Sequence, residues 1–400
     1  MAGITGMGLT YNLPNYVGEL IALTPDDTPL LSAIGGLTGG KSTTATEFEW
    51  QTYDLRDATQ GRVRVEGAAA PTAEERVRAN VRNICQIHQE KVSVSYTKQA
   101  AVGQNATPSS APYVGVPGTN PVGNEMSWQV MQALKQVKLD VNFSFINGTY
   151  NRPTDNTTAR RTRGLLQAIT TNRIAKGTSF TGASSATDTI TSTAHGLTDG
   201  TKIVFTNTDA ATNIYAGRVY YVVSSATNTF KVATTSGGSA LTLGTASNIA
   251  FTKPWSTTLT TDHVNDLLQL AFDNGGISEQ ETATLLCNSI QKRAVTKAYM
   301  TAFSGYNEQS RNVGGVNVTT ITTDFGTLNV MMDRHMPQDT LAVVSLEDLA
   351  PVFLDVPGKG HFFEEPLAKV GASDETQLYG EIGLEYGAEK HHGVTTGLVV

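Results

Sequence analysis

The chain has 400 residues, of which 39% are hydrophobic and 16% charged, enough for two or three cores beneath a weakly charged surface. A formal charge of −7 leaves no overall basic field, and the densest cationic stretch (Arg160, Arg161 and Arg163) is short, which argues against sequence-specific DNA binding. No run approaches the ~20 apolar residues that span a bilayer, and residues 1–9 lack the basic flank and apolar run of a signal peptide, so a cytosolic protein without membrane contact is expected.

Residues 1–45 alternate short helical signals with Gly and Pro. Pro14 opens a segment carrying Val17, Leu20 and Ile21 at helical spacing, and Pro29 follows Thr28 as at a helix start. An arm without a core is expected here. From Thr46 the pattern turns extended, with Phe48, Trp50 and Tyr53 entering a strand. A return strand is expected over 87–97, where period-two alternation puts Val92, Val94 and Tyr96 on one face and Lys91, Ser93 and Ser95 on the other. Together they predict a long two-stranded projection. Its intervening residues, 58–82, hold many charges and few large apolar groups, too little for a core of their own.

After a Gly/Pro/Ser linker over 103–123, Met126, Val130, Leu134, Val137, Val141 and Phe145 recur every three or four residues and predict one long amphipathic helix over 125–147. Between 178 and 252 the composition shifts: 27 of 75 residues are Ser or Thr, and β-branched and aromatic runs at 202–205 and 219–223 alternate with turn residues, which predicts a small all-β module. Helical spacing resumes at Thr261 with Val264, Leu267, Leu268 and Ala271, stopped by Gly275 and Gly276, so the module is expected to be an insertion. Beyond it lie a capping box from Ser278 to Glu281, the apolar run Leu285-Leu286-Cys287, a helix over 290–303, paired strands at 316–322 and 327–332, and an alternating strand through Ile382, Leu384 and Tyr386.

No catalytic, cofactor-binding or metal residue is expected. Gly35 to Ser42 matches the phosphate-cradling G-x-x-x-x-G-K-S pattern literally, but the β-branched stretch after it disfavours the helix whose amides would face a phosphate. Neighbouring His391 and His392, read as strand residues, would point to opposite faces and not share an ion. Glu364, Glu365, Glu381 and Glu385 show no acid–base partner and are expected to be solvated or paired between subunits. Cys85 and Cys287 are too few for a disulfide scaffold and too far apart for a redox or zinc pair, and read as small buried hydrophobes.

Several short strings, in order, resemble the tailed-bacteriophage major capsid proteins. They are Glu49-Trp50, Glu66-Gly67, Asn83, Gln86-Ile87 and Val92-Ser93-Val94-Ser95-Tyr96-Thr97 in the projection. Then come Arg163-Gly164-Leu165 with Asn172, Gly275-Gly276, Lys292-Arg293, Thr323-Asp324-Phe325-Gly326, Arg334 with Met336-Pro337 and Asp339, and Gly380-Glu381 leading to Leu384-Glu385. The resemblance covers 1–175 and 256–400, and the block at 178–252 departs from it.

The resemblance implies the α+β capsid fold of tailed phages and herpesviruses. Its parts would be an N-terminal arm at 1–45, an extended hairpin loop at 46–102, a peripheral domain at 103–177 with its spine helix, an axial domain and return at 253–360, and C-terminal peripheral strands at 361–400, to which the all-β module at 178–252 is an added insertion. It further implies a structural role without catalysis: self-association into hexamers and pentamers of an icosahedral shell around double-stranded DNA touched non-specifically. Assembly in the bacterial host cytoplasm is expected with a separate scaffolding protein and a portal, and with possible decoration or cement proteins. A β-rich tail or host-adhesion protein is the alternative, but neither trimeric heptads nor repeated β units occur. A nucleoside triphosphatase based on Lys41 comes third.

Overall fold

The computed structural model describes residues 23–56, 58–100, 125–209, 211–277, 283–302, 320–369 and 371–400. They form two compact units, a smaller one from the described parts of 1–27, 87–141 and 355–381 and a larger one from 28–86, 142–354 and 382–400. Pro14, the 103–123 linker and the Ser278–Glu281 box lie outside the described residues. No described helix is long and apolar enough to cross a membrane.

Helix α1 (Pro29–Ala33) begins with proline in its first turn, where the missing N–H is not needed, and its Leu30 and Leu31 are fully buried. Strand β1 (Lys41–Thr43) pairs in parallel with residues 352–354. The coreless arm expected over 1–45 therefore fails for its described end. Leu30, Leu31 and Leu37 fill sites made by distant segments, and no local pattern in a Gly- and Thr-rich stretch reveals that.

Strand β2 (Glu47–Tyr53) pairs antiparallel with β3 (Arg78–Ile84), in register from Glu47 opposite Ile84 to Tyr53 opposite Arg78. This corrects the expected return strand. Strand β4 (Gln86–Ser95) belongs to the smaller unit, where Val92 and Val94 pack with Ala133 and Leu378 under Met126, Val130 and Leu134. Its clean alternation marks a core strand, whereas β3 carries too few apolar residues for periodicity to detect. A short helix α2 (Tyr96–Ala100) follows, then α3 (Glu125–Asn147). Helix α3 contains no Gly or Pro, ends at Gly148, and spans ~35 Å at 1.5 Å per residue. Val137, Val141 and Phe145 of the sequence-defined stripe are buried, joined by Ile146.

In the larger unit, α4 (Leu165–Ala168) and β5 (Arg173–Ala175) lead to six strands: β6 (Thr178–Ser184), β7 (Ile190–Thr191), β8 (Lys202–Asn207), β9 (Val219–Val223), β10 (Thr229–Ala233) and β11 (Ala246–Lys253). They close into a barrel in the order β10-β7-β6-β11-β8-β9. The inward residues Ile190, Ile203, Phe205, Val222, Phe230, Val232, Ile249 and Phe251 are fully buried. Phe251 stacks on Phe180 at 5.5 Å and meets Phe230 edge-on at 5.2 Å. Three of the few charges tie loops together: Asp188 accepts the Leu243 amide at 2.9 Å, Asp199 the Ser225 amide at 2.7 Å, and Asp209 those of Ser247 and Asn248 at 3.0 and 3.1 Å. The first and last barrel residues, Thr178 and Lys253, face each other in register.

Helix α5 (Thr261–Asp273) starts where the His263 imidazole accepts the Thr260 N–H at 3.1 Å, and buries Val264, Leu267, Leu268 and Ala271 as its spacing requires. Gly275, at φ +91°, turns the chain out of it. Then come β12 (Ala283–Cys287), α6 (Ser289–Ala302), β13 (Thr320–Thr323), β14 (Gly326–Met332), β15 (Leu341–Ser345), β16 (Ala350–Leu354), β17 (Phe362–Pro366), β18 (Ser373–Glu385) and β19 (Gly393–Thr396). A six-stranded mixed sheet, β13-β14-β12-β15-β19-β5, carries the larger unit's main core with α5 and α6. In the same unit β16 lies between β1 and residues 382–385 of β18. In the smaller unit β17 pairs with residues 376–380 of β18, and β4 also pairs with β18.

Candidate assembly surface

The β2–β3 hairpin is fixed at its root. The Trp50 indole N–H donates to the Gly387 carbonyl at 2.8 Å, and its ring meets Tyr386 edge-on at 4.9 Å. Asn83, wholly buried, donates to the carbonyls of Leu384 at 2.6 Å and Arg163 at 3.1 Å and accepts the Arg163 amide at 2.8 Å. Gly383 leaves room for the Phe48 ring, which a Cβ there would meet at 2.6 Å. Glu47 takes Arg152 at 2.9 Å and Arg82 at 3.6 Å.

Beyond Tyr53 no described residue covers the hairpin. Every described residue from 54 to 77 except Arg62 is exposed. Five large apolar side chains are bare there: Tyr53, Leu55, Val63, Val65 and Val77, each at least 69% exposed. Such a cluster marks an interaction surface, since burying one Val or Leu stabilises by about 1.5–3 kcal/mol. Glu74 gathers Arg62, Arg76 at 3.3 Å and Arg56 at 3.8 Å, and the Arg62 hydrogen bond holds its carboxyl below the usual range. Gly67, at φ +79°, forms the turn closed by the Ala68 N–H on the Val65 carbonyl at 3.2 Å.

The phosphate-loop look-alike has the wrong surroundings. Helix α1 precedes it and strand β1 follows it, the reverse of strand, loop, helix. Gly40 lies against Pro351, whose carbonyl oxygen a Cβ would meet at 2.3 Å, and Lys41 pairs with Glu385 at 2.8 Å. His391 ends a short 3-10 turn, so the strand geometry expected for the His pair does not apply. His391 Nδ1 lies 2.6 Å from an Asp348 carboxylate oxygen. His392 is fully buried, accepts the Ser345 amide at Nδ1 and donates from Nε2 to the Tyr386 carbonyl at 3.0 Å, and burial pushes its pKa down. Among the described residues no three His, Cys, Asp or Glu side chains converge as a metal site.

Each of the carboxylates without a visible partner in the sequence has a polar neighbour within the chain, and Glu364 is exposed besides. Glu364 accepts the Thr376 hydroxyl at 3.1 Å, Glu365 pairs with Lys359, Glu381 accepts the Tyr379 hydroxyl at 2.7 Å, and Glu385 holds Lys41. Arg163 is internal too, its guanidinium donating to the Tyr386 hydroxyl at 2.9 Å and lying 4.6 Å above the Tyr150 ring. Both cysteines are buried, and neither forms a disulfide.

Several of the family-like strings fall where backbones are tied together. Asn172 donates to the carbonyls of Lys390 at 2.5 Å and His392 at 3.0 Å. Gly164 abuts Gly148, whose nitrogen a Cβ would meet at 2.4 Å, and Gly276 abuts the His391 carbonyl, at 2.5 Å from such a Cβ. Their chemistry is positional, which is why no reactive motif announces them.

No curated protein sequence matches the chain. Solved structures share its fold at low identity. The capsid of a native GTA particle aligns over 99% of this chain and 99% of its own with 10% identity and a TM-score of 0.54. The capsid asymmetric unit of cyanophage A-1(L) aligns over 98% of each chain with 13% identity and a TM-score of 0.53. The family model for the SU10 major capsid protein matches residues 3–399, and the chain, a structural subunit of a phage capsid shell, belongs to that family.

Proposed function

We propose that the subunit assembles by laying the tip of its β2–β3 hairpin on a neighbouring copy, in hexamers and pentamers of an icosahedral shell that encloses double-stranded DNA. The observation that carries this is the bare cluster of Tyr53, Leu55, Val63, Val65 and Val77 on a hairpin whose root is locked by Trp50 and Asn83. Burying three valines at each contact supplies several kcal/mol, repeated around every ring. The domain roles follow the family resemblance, with the arm at 1–45, the hairpin loop at 47–84, the peripheral domain on α3, the axial domain within 253–360 and the peripheral strands of 361–400. The barrel at 178–252 is an inserted domain facing outward, in keeping with six charged residues among 75 and no basic face for phosphate. The partners are a separate scaffolding protein, a portal, optional cement proteins and DNA held non-specifically. Assembly takes place in the host cytoplasm, and the subunit works without catalytic, cofactor or metal residues.

The test is the full chain with Val63→Ser, Val65→Ser and Val77→Ser. Its circular dichroism should match the parent's, while shells seen by sedimentation and negative-stain microscopy should fall at least tenfold. Shells at the parent's yield would refute the docking role.

A further inference from the structure

The barrel is joined to the rest of the larger unit by more than its two chain connections. At the covalent junction, Thr178 faces Lys253, and Gly177 nests against Gly397 so closely that a Cβ on Gly397 would meet its nitrogen at 2.3 Å. Lys176 donates its amide to the Thr396 carbonyl at 2.9 Å and Trp255 donates to that of Gly397 at 2.8 Å. One antiparallel pair of connections would still let the barrel rock and twist. A second attachment lies on a different wall, where the barrel's β8 and β9 meet the turn before β15. There the Gln338 amide donates to the Gly217 carbonyl at 2.8 Å, and the Gln338 side-chain oxygen accepts the Val219 amide at 2.8 Å.

Gly217 sits at φ +78° with Pro337 directly beneath it, 3.1 Å from where a Cβ would stand, so the approach requires glycine on both counts. Gln338 is itself held from behind, because Gln291 of α6 donates to its carbonyl at 2.8 Å and to that of Val399 at 2.9 Å. Leu398 donates to the Asp339 carbonyl at 2.9 Å, and Lys202 at the start of β8 donates to the Val400 carbonyl. Residues 337–339 and 397–400 therefore touch both connecting strands and the β8–β9 wall.

We propose that Pro337–Gln338 and Leu398–Val400 form a bracket that locks the barrel at a fixed angle on the six-stranded sheet. The chain itself then sets the barrel's orientation before any neighbour arrives, and every copy in a symmetric assembly presents the same barrel face. The bracket is independent of how the hairpin docks, so it can be tested on the soluble full-length subunit.

Nitroxide labels at Ser236→Cys on the barrel and Asp273→Cys at the end of α5 report the angle, since the native Cys85 and Cys287 are buried. The parent should give one narrow distance distribution. Gln338→Ala with Lys202→Ala should at least double its width and speed hydrogen exchange at Val219 about fivefold or more, leaving the barrel-core amides of Ile203 and Phe251 unchanged. Should that pair not fold, Gly217→Val reads the same two signals by pushing Pro337 away. A parent distribution already broad, or a variant as narrow as the parent, would overturn the bracket.

Discussion

The Leu31 amide donates to the Asn142 side-chain oxygen at 3.0 Å, a bond between residues 111 apart in sequence. The same carboxamide donates to the Asp333 carboxylate at 2.8 Å and lies 2.8 Å from His335 Nδ1, so one buried residue joins α1, α3 and the end of β14. Asn142→Leu keeps the volume but leaves the buried Leu31 amide without its acceptor and takes one of two donors from the buried Asp333 carboxylate, which keeps the His335 amide. The expected loss is about 2–4 kcal/mol in urea unfolding. Asn142→Asp, with a second carboxyl beside Asp333, should lose at least as much, and a loss under ~1 kcal/mol for either would show the junction to be unimportant.

Acid should weaken the smaller unit through His88. This side chain on β4 is 7% exposed, its Nε2 has no partner among the described residues, and burial pushes its pKa down to about 4. In the unfolded chain an imidazole titrates near ~6.5, so between pH 6.5 and 4 the unfolded state binds the extra proton. Stability is complete above ~6.5 and falls as pH drops towards 4, by up to about 3 kcal/mol at 1.36 kcal/mol per unit. His88→Leu should flatten that limb, as followed by thermal melts at pH 7, 6, 5 and 4. An unchanged slope in the variant would assign the acid sensitivity to other groups.

What the sequence revealed depended on whether a signal was local. Helices α3 and α5 were legible because a single stripe repeats over whole turns, and the barrel because Ser/Thr-rich turns separate runs such as Val219-Tyr220-Tyr221-Val222-Val223. The hairpin's location was legible from Trp50 and the charged stretch after it, but its return strand was not. RANVRNI offers Val81 and Ile84 alone, and its pairing is fixed by Asn83 reaching Leu384, a contact across 301 residues. The burial of Leu30 and Leu31 and the intrachain partners of Glu364, Glu365, Glu381 and Glu385 were hidden for the same reason. The bare tip apolar residues were in view, yet isolated valines among arginines carry no period.

The two thiols offer a probe of native packing. Cys287, on a strand buried at every position, has its thiol pushed up to about 11 by burial, and Cys85 is likewise fully buried. Neither should react with an aromatic disulfide reagent at pH 8 on the timescale of minutes, and two equivalents should appear together on denaturation. Fast labelling of one thiol in the native protein would reveal local opening at that strand.

The barrel should be separable from the shell-forming body. Its buried cluster, from Ile190 to Phe251, is composed of barrel residues, while the main core of the larger unit is built from α5, α6 and the six-stranded sheet, so removing one leaves the other's apolar contacts in place. Thr178 and Lys253 face each other across a strand pair, which puts the cut ends about 5 Å apart, within reach of a four-residue Gly/Ser linker. With 178–252 replaced in this way, the hydrogen bonds lost from the body are those to Gln338 and Val400, a change of about 1–3 kcal/mol. The body should therefore fold, melt only a few degrees lower and still form shells, while residues 178–253 alone should give a cooperative thermal transition. Difference maps of the shells should lose density from the outer surface. An insoluble body, or density missing from the inner surface, would reverse both the separability and the outward placement.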